Sequence, residues 1–142
     1  MCKMKSAIIL KDRIFVPDYD HHTDMLRELQ IEDSRKNAEK LFVRAELYPK
    51  NGDVFSDISS WIFNVDQDIT PDWFVPEYEK GRMIETVKEW AKKRIYIGVD
   101  NLRIEACGSD ILCLYLKDCK NASVVSRETS TLTAESWITL PQ

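Results

Sequence analysis

Between residues 98 and 140 the chain repeats one short pattern four times, and few folds accommodate such a pattern. Runs of alternating apolar residues occupy 102–106, 112–116, 122–126 and 130–134, beginning ten, ten and eight residues apart. Alternation within each run predicts a strand, because successive side chains of a strand face opposite ways. The gaps leave room for a tight turn and little else, which predicts successive coils or hairpins. The fold class expected is α+β: antiparallel hairpins with one main amphipathic helix, then a short β-stack of β-helix-like character. The body is assigned to residues 1–97, with its helix at about 77–94, and the stack to residues 98–142. No linker composition separates them, so they are expected to fold as one unit, the stack packed on the body.

Composition matters chiefly for what it excludes. A chain of 142 residues has single-domain length and buries roughly 68–70% of its unfolded surface. With 44% apolar and 31% charged residues it reads as a folded globular protein. A formal charge of −4 gives no basis for a phosphate-binding surface, so no nucleic-acid partner is expected. From residue 98 onward six acidic residues face four basic ones, too small an excess to imitate a nucleic acid. The apolar run Ala7-Ile8-Ile9-Leu10 is far short of the roughly twenty residues of a membrane span, and too short for a secretory signal core. A cytoplasmic protein without membrane contact is the expectation.

Cys107, Cys113 and Cys119 stand six residues apart, wider than the usual two-to-four spacing of zinc ligands, and a cytosolic chain would not use them as disulfides. They are expected to fill the interior or turns of the stack as small, soft side chains. Neither metal nor organic cofactor is expected there. Asn121-Ala122-Ser123 matches a glycosylation acceptor that a cytosolic protein would never use.

In chain order, residues 6–10 and 13–16 predict a hairpin linked at Lys11-Asp12, closed by Pro17. A helix is expected next, capped by Asp20 or Thr23 and burying Met25, Leu26 and Leu29. Asp33-Ser34 opens one or two further helical turns. Residues 41–48 read as a strand with Leu41, Val43, Ala45 and Leu47 on one face and Phe42, Arg44, Glu46 and Tyr48 on the other. After the Asn51-Gly52 turn signal, residues 60–65 are expected to pair back on that strand. Met83, Ile84, Val87, Trp90 and Ala91 mark the buried stripe of the main helix. Gly81 weakens its first turns, so the helix is expected to be well formed only from Arg82.

The chemistry-bearing residues are few. Asp20, His21, His22 and Asp24 join imidazoles and carboxylates in one segment, a set that could bind a metal or small ligand. Adjacent histidines on a helix diverge by about 100°, however, and the i, i+4 spacing of helical metal sites is absent. Asp66, Asp68 and Asp72 resemble part of a calcium loop, but Ile69-Thr70-Pro71 stands where a ligand and glycine are required. There is no glycine-rich phosphate cradle and no Gly-x-Ser-x-Gly elbow, and nothing in the sequence brings a cysteine to His21 or His22. No catalytic residue is assigned. Of the tryptophans, Trp61 and Trp90 lie on periodic apolar faces and Trp137 would cap the end of the stack. Trp73 and Phe74, in a proline-flanked loop, are the candidates for partner contact.

Ile14-Phe15-Val16-Pro17-Asp18-Tyr19-Asp20, Val65-Asp66-Gln67-Asp68-Ile69, Pro71-Asp72-Trp73-Phe74 and Val87-Lys88-Glu89-Trp90-Ala91-Lys92-Lys93 together resemble segments of uncharacterised small phage and prophage proteins. In that group an N-terminal α+β cap leads through Tyr115-Leu116-Lys117-Asp118-Cys119-like text into a tail of pentapeptide-like repeats. The tail here is shorter and less regular. What the resemblance implies is a compact cap followed by β-coils, and a mobile-element origin. The function expected is that of a non-enzymatic interaction protein binding a host or defence factor, or associating with itself as a homodimer. The alternative is a metal- or small-ligand-binding protein using residues 18–24.

Overall fold

The computed structural model describes residues 5–106, 111–126 and 131–138, with backbone alone at 106, 111–113, 126 and 131–138. By internal contacts the chain divides into two compact units, Met1–Glu89 and Trp90–Gln142. The fold is α+β.

The first unit is built on a four-stranded antiparallel sheet of order β2-β1-β3-β4. Strand β1 (Lys5–Leu10) turns through Lys11-Asp12 into β2 (Ile14–Phe15), closed by Leu10 N–H donating to the Arg13 carbonyl at 2.8 Å. On its other side β1 pairs with β3 (Phe42–Tyr48), and β3 pairs with β4 (Ile62–Val65). The alternation of β3 is literal. Val43, Ala45 and Leu47 are fully buried on one face, while Arg44 and Glu46 on the other are half-exposed. Phe42 is buried although it shares the Arg44 face, because helices α1 (His22–Glu28) and α2 (Arg35–Ala38) cover that end of it. Ile8, Met25, Leu26, Ala38 and Phe42 form the resulting cluster. Each large apolar side chain withdrawn from water in this way stabilises the fold by about 1.5–3 kcal/mol.

Local chemistry explains where these helices start and stop. Ser34 caps α2, its hydroxyl accepting from Asn37 N–H at 3.2 Å. The cap of α1 is His21, which makes no side-chain cap bond, rather than Asp20 or Thr23. Asp20 is engaged elsewhere, as described below. After Leu29 the chain leaves the helix through Gln30 at φ 59°, with Ile31 N–H donating to the Leu26 carbonyl and Gln30 N–H to that of Arg27. That is a Schellman closure, with Ile31 packed on the core cluster.

Between β3 and β4 the chain makes two 3-10 turns, Lys50–Gly52 and Ile58–Ser60, and buries Trp61. The Asn-Gly pair thus starts a longer excursion than a tight hairpin. Helix α3 (Pro76–Ala91) begins well before Arg82. Proline at the first helical position is already set to helical φ and has no N–H to leave unsatisfied. That start offsets the cost of Gly81. Met83 and Val87, four residues apart, are fully buried.

The second unit contains β5 (Ile95–Ile97), β6 (Arg103–Ala106), β7 (Ile111–Lys117), β8 (Ser123–Ser126) and β9 (Thr131–Ile138). They form two parallel sheets, β5-β7-β9 and β6-β8. Ile95 faces Tyr115, Arg103 faces Ser123 and Ile111 faces Thr131, each pair 20 residues apart. The ten-residue spacing of the sequence is therefore half a coil. Consecutive strands enter different sheets, because parallel neighbours cannot be joined by a tight turn. Corners recur with the same period: Gly98 and Asp118 have φ of 67° and 54°, and Asn101 and Asn121 have 57° and 56°. Cys119 is buried, with Sγ 3.6 Å from the Tyr96 carbonyl, as a small interior side chain. Cys107 and the side chains of Cys113 and Trp137 lie outside the described residues.

Candidate functional site

The segment that gathers histidines and carboxylates in the sequence is dispersed by the fold. Asp20 turns towards β1: its Oδ1 accepts from Lys5 Nζ at 2.9 Å and from Ser6 N–H at 3.0 Å. Lys5 is 1% exposed and also donates to the Tyr19 carbonyl at 2.9 Å. Asp20 is thus the counter-ion of a buried ammonium. Asp24 pairs with Arg27 one turn along the helix at 3.0 Å, and His21 is exposed at the helix cap.

His22 alone points inward. Its Nε2–H donates to the Ala45 carbonyl at 3.0 Å, which leaves Nδ1 facing Asp66 Oδ2 at 3.9 Å. Glu46 belongs to the same constellation. His22, Glu46 and Asp66 each place one ligand atom within 4.8 Å of the other two. Sheet register explains the meeting. Ala45 faces Val65 and Glu46 faces Asn64, so the residue after β4, Asp66, comes opposite Arg44, its N–H donating to the Arg44 carbonyl at 2.9 Å. Asn64 Nδ2 donates to Glu46 Oε2 at 3.2 Å. Neither Glu46 nor Asp66 was tied to His22 by sequence spacing, because they reach it through strand pairing across more than twenty residues.

Beside Asp66 lies a polar cleft of about 370 Å3, bordered by Asp33, Arg35, Arg44 and Asp68. Its organiser is Gln67. The two hydrogens of its amide nitrogen are shared among the carbonyls of Ala38, Phe42 and Ile69, at 3.1, 2.9 and 2.7 Å. Its oxygen accepts from Arg44 N–H at 3.0 Å and Arg44 Nη1 at 3.2 Å. Arg44 also pairs with Asp33. What resembled a calcium loop in the sequence is a side-chain brace between α2, β3 and the strand exit.

Trp73 and Phe74 are both half-buried. The Trp73 indole N–H donates to the Lys40 carbonyl at 2.8 Å, so its ring is held in one orientation. Val75 and Tyr78 follow, 54% and 64% exposed. Arg82 lies over the Tyr78 ring at 5.7 Å and pairs with the buried Glu79. Here α3 borders a groove of about 740 Å3 with Arg13, Ile14, Gly81 and Glu85. A Cβ on Gly81 would meet nothing within 4 Å.

Among the described residues no helix is long and apolar enough to cross a membrane. No family model, curated protein or solved structure matches the chain.

Proposed function

We propose that the chain is a non-enzymatic interaction protein that engages a protein partner through the surface running from Trp73 to the first turns of α3. The observation that carries this reading is the exposure of Val75 and Tyr78, each more than half open to solvent, beside a Trp73 ring fixed by the Lys40 carbonyl. A ring already held in place, as Trp73 is, loses little side-chain entropy on binding, and aromatic residues dominate interface energetics. The groove beside Tyr78 gives a partner's apolar side chain somewhere to go. The parallel coils of the second unit add a stacked surface of the kind repeat proteins use for contact. The resemblance to phage and prophage proteins supports a host or defence factor as the partner, with self-association as the other outcome. On this reading the protein acts in the cytoplasm, and partner contact at this surface needs no cofactor.

The test is capture from a bacterial lysate by wild type and by Val75→Ser/Tyr78→Ser, alongside sedimentation of each alone. Exposed residues can be changed with little effect on folding. A partner or dimer seen with wild type and lost in the double variant, at equal unfolding midpoints, supports the surface. Equal binding by both removes it.

A further inference from the structure

We propose that His22, Glu46 and Asp66 bind a divalent transition-metal ion through one imidazole nitrogen and two carboxylates. The protonation pattern of His22 is the starting point. A backbone carbonyl can only accept, so the Ala45 contact at 3.0 Å places a proton on Nε2. In the neutral ring Nδ1 is then a lone pair, and it faces a carboxylate oxygen at 3.9 Å, beyond hydrogen-bond reach. The side chain is only 10% exposed, and Nδ1 makes no hydrogen bond among the described residues. Two acceptors that face each other at this distance need something between them that both can engage: a second proton on the ring, a bridging water or a metal ion.

Three features favour the ion. First, a third donor, Glu46, lies within 4.8 Å of the other two, more than a proton shared by His22 and Asp66 would need. Second, the supporting shell is that of a ligand set. The Ala45 carbonyl fixes the ring and its tautomer, and Asn64 holds the Glu46 carboxylate at 3.2 Å. Third, among the described residues neither Glu46 nor Asp66 pairs with a lysine or arginine. Arg44, next along the same strand face, is taken by Asp33 and Gln67. Donors bound to one ion at about 2.0–2.2 Å stand roughly 3–3.6 Å apart. The 3.9 Å separation closes to that range by a small rotation of Asp66, whose side chain is 63% exposed. Entry is open through the cleft that Asp66 borders. Imidazole with two carboxylates suits manganese, iron or zinc, whereas magnesium and calcium favour oxygen alone. Three protein donors leave the remaining positions to water.

The experiment titrates Mn2+ into the full chain, followed by electron paramagnetic resonance and by paramagnetic broadening in NMR spectra. Manganese is the probe because the thiolates of the chain's cysteines do not favour it. One saturable equivalent is expected, with broadening centred on His22, Glu46 and Asp66. Glu46→Gln and Asp66→Asn should each weaken it by at least tenfold, with unfolding midpoints unchanged, and Asn64→Ala by about tenfold through the supporting shell. Mg2+ should displace Mn2+ only at concentrations at least tenfold higher. Absence of saturable binding, broadening elsewhere, indifference to both carboxylate variants, or equal competition by Mg2+ would each overturn the assignment. If either carboxylate variant fails to fold, the other decides.

Discussion

Asn121 donates through Nδ2 to the Oδ1 of Asn101 at 3.2 Å, and the two residues, one coil apart, share a left-handed backbone with φ of 56° and 57°. These two corners therefore use the same device, an asparagine that tolerates positive φ and bonds its counterpart one coil away. Asn121→Ala should destabilise the chain by about 2 kcal/mol, the sum of a lost hydrogen bond and a strained backbone. Asn121→Gly should cost only about half as much, since glycine removes the strain. Gly98→Ala isolates the backbone effect, because a Cβ there meets nothing within 4 Å and yet φ is 67°. It should cost about 1 kcal/mol. Urea unfolding followed by circular dichroism reads all three, and equal losses for Asn121→Ala and Asn121→Gly would refute the backbone argument.

Lys5 and Asp20 make a different prediction. The ammonium of Lys5 is buried, and Asp20 is its carboxylate partner at 2.9 Å. Asp20→Ala should cost about 3–5 kcal/mol, because it removes the carboxylate that accepts from a buried ammonium at 2.9 Å. Combining it with Lys5→Met should restore much of the loss, since an apolar chain of similar length suits the site. If the double variant is no more stable than Asp20→Ala, the charge is not what Asp20 is there to balance.

The strands, their faces and the main helix were legible because each rests on local periodicity. Val43, Ala45 and Leu47 alternate in the sequence and are buried together in the sheet. The short apolar runs after residue 98 announced coils, but their pairing partner was not readable. A ten-residue spacing fits a hairpin or half a coil equally well, and only the 20-residue match of corners such as Asn101 and Asn121 separates the two. The candidate site was less legible. Asp20, His21, His22 and Asp24 are neighbours in sequence, whereas the contacts of Asp20 and His22 are set by β1 and β3, elements the local segment cannot specify. Trp73 stood out as an aromatic in a proline-flanked loop. Tyr78 did not, because within a helical stretch its exposed face carries no period of its own.

Gln67 shows how much one side chain can do between elements. Its amide reaches three carbonyls and its oxygen takes two donors from Arg44. Gln67→Ala should cost about 2–3 kcal/mol by leaving several buried backbone groups unsatisfied. Gln67→Glu should be at least as damaging, since it sets a carboxylate against the Ala38, Phe42 and Ile69 carbonyls. A glutamate variant as stable as wild type would mean the amide nitrogen contributes nothing. Amide exchange at Arg44, which donates to the Gln67 oxygen at 3.0 Å, should speed up in Gln67→Ala and localise the loss.

Tyr19 gives the chain a stability that depends on alkaline pH. Burial, then the 2.7 Å hydrogen bond to Glu28, then the negative charges of Glu28 and Asp24 push its phenol up from 10.0 to about 12. Because the folded pKa lies above the unfolded one, the folded state holds the proton more tightly. The stabilisation is complete below pH 10 and is lost as pH rises towards 12. Unfolding midpoints of wild type should therefore fall across that window, and Tyr19→Phe should flatten the slope. Tyr96, whose phenol burial also raises despite the opposing charge of Arg94, should leave a smaller residual slope. Phenolate absorbance in the folded protein should show one tyrosine fewer titrating near 12 in Tyr19→Phe. An unchanged slope in that variant would move the alkaline sensitivity to another group.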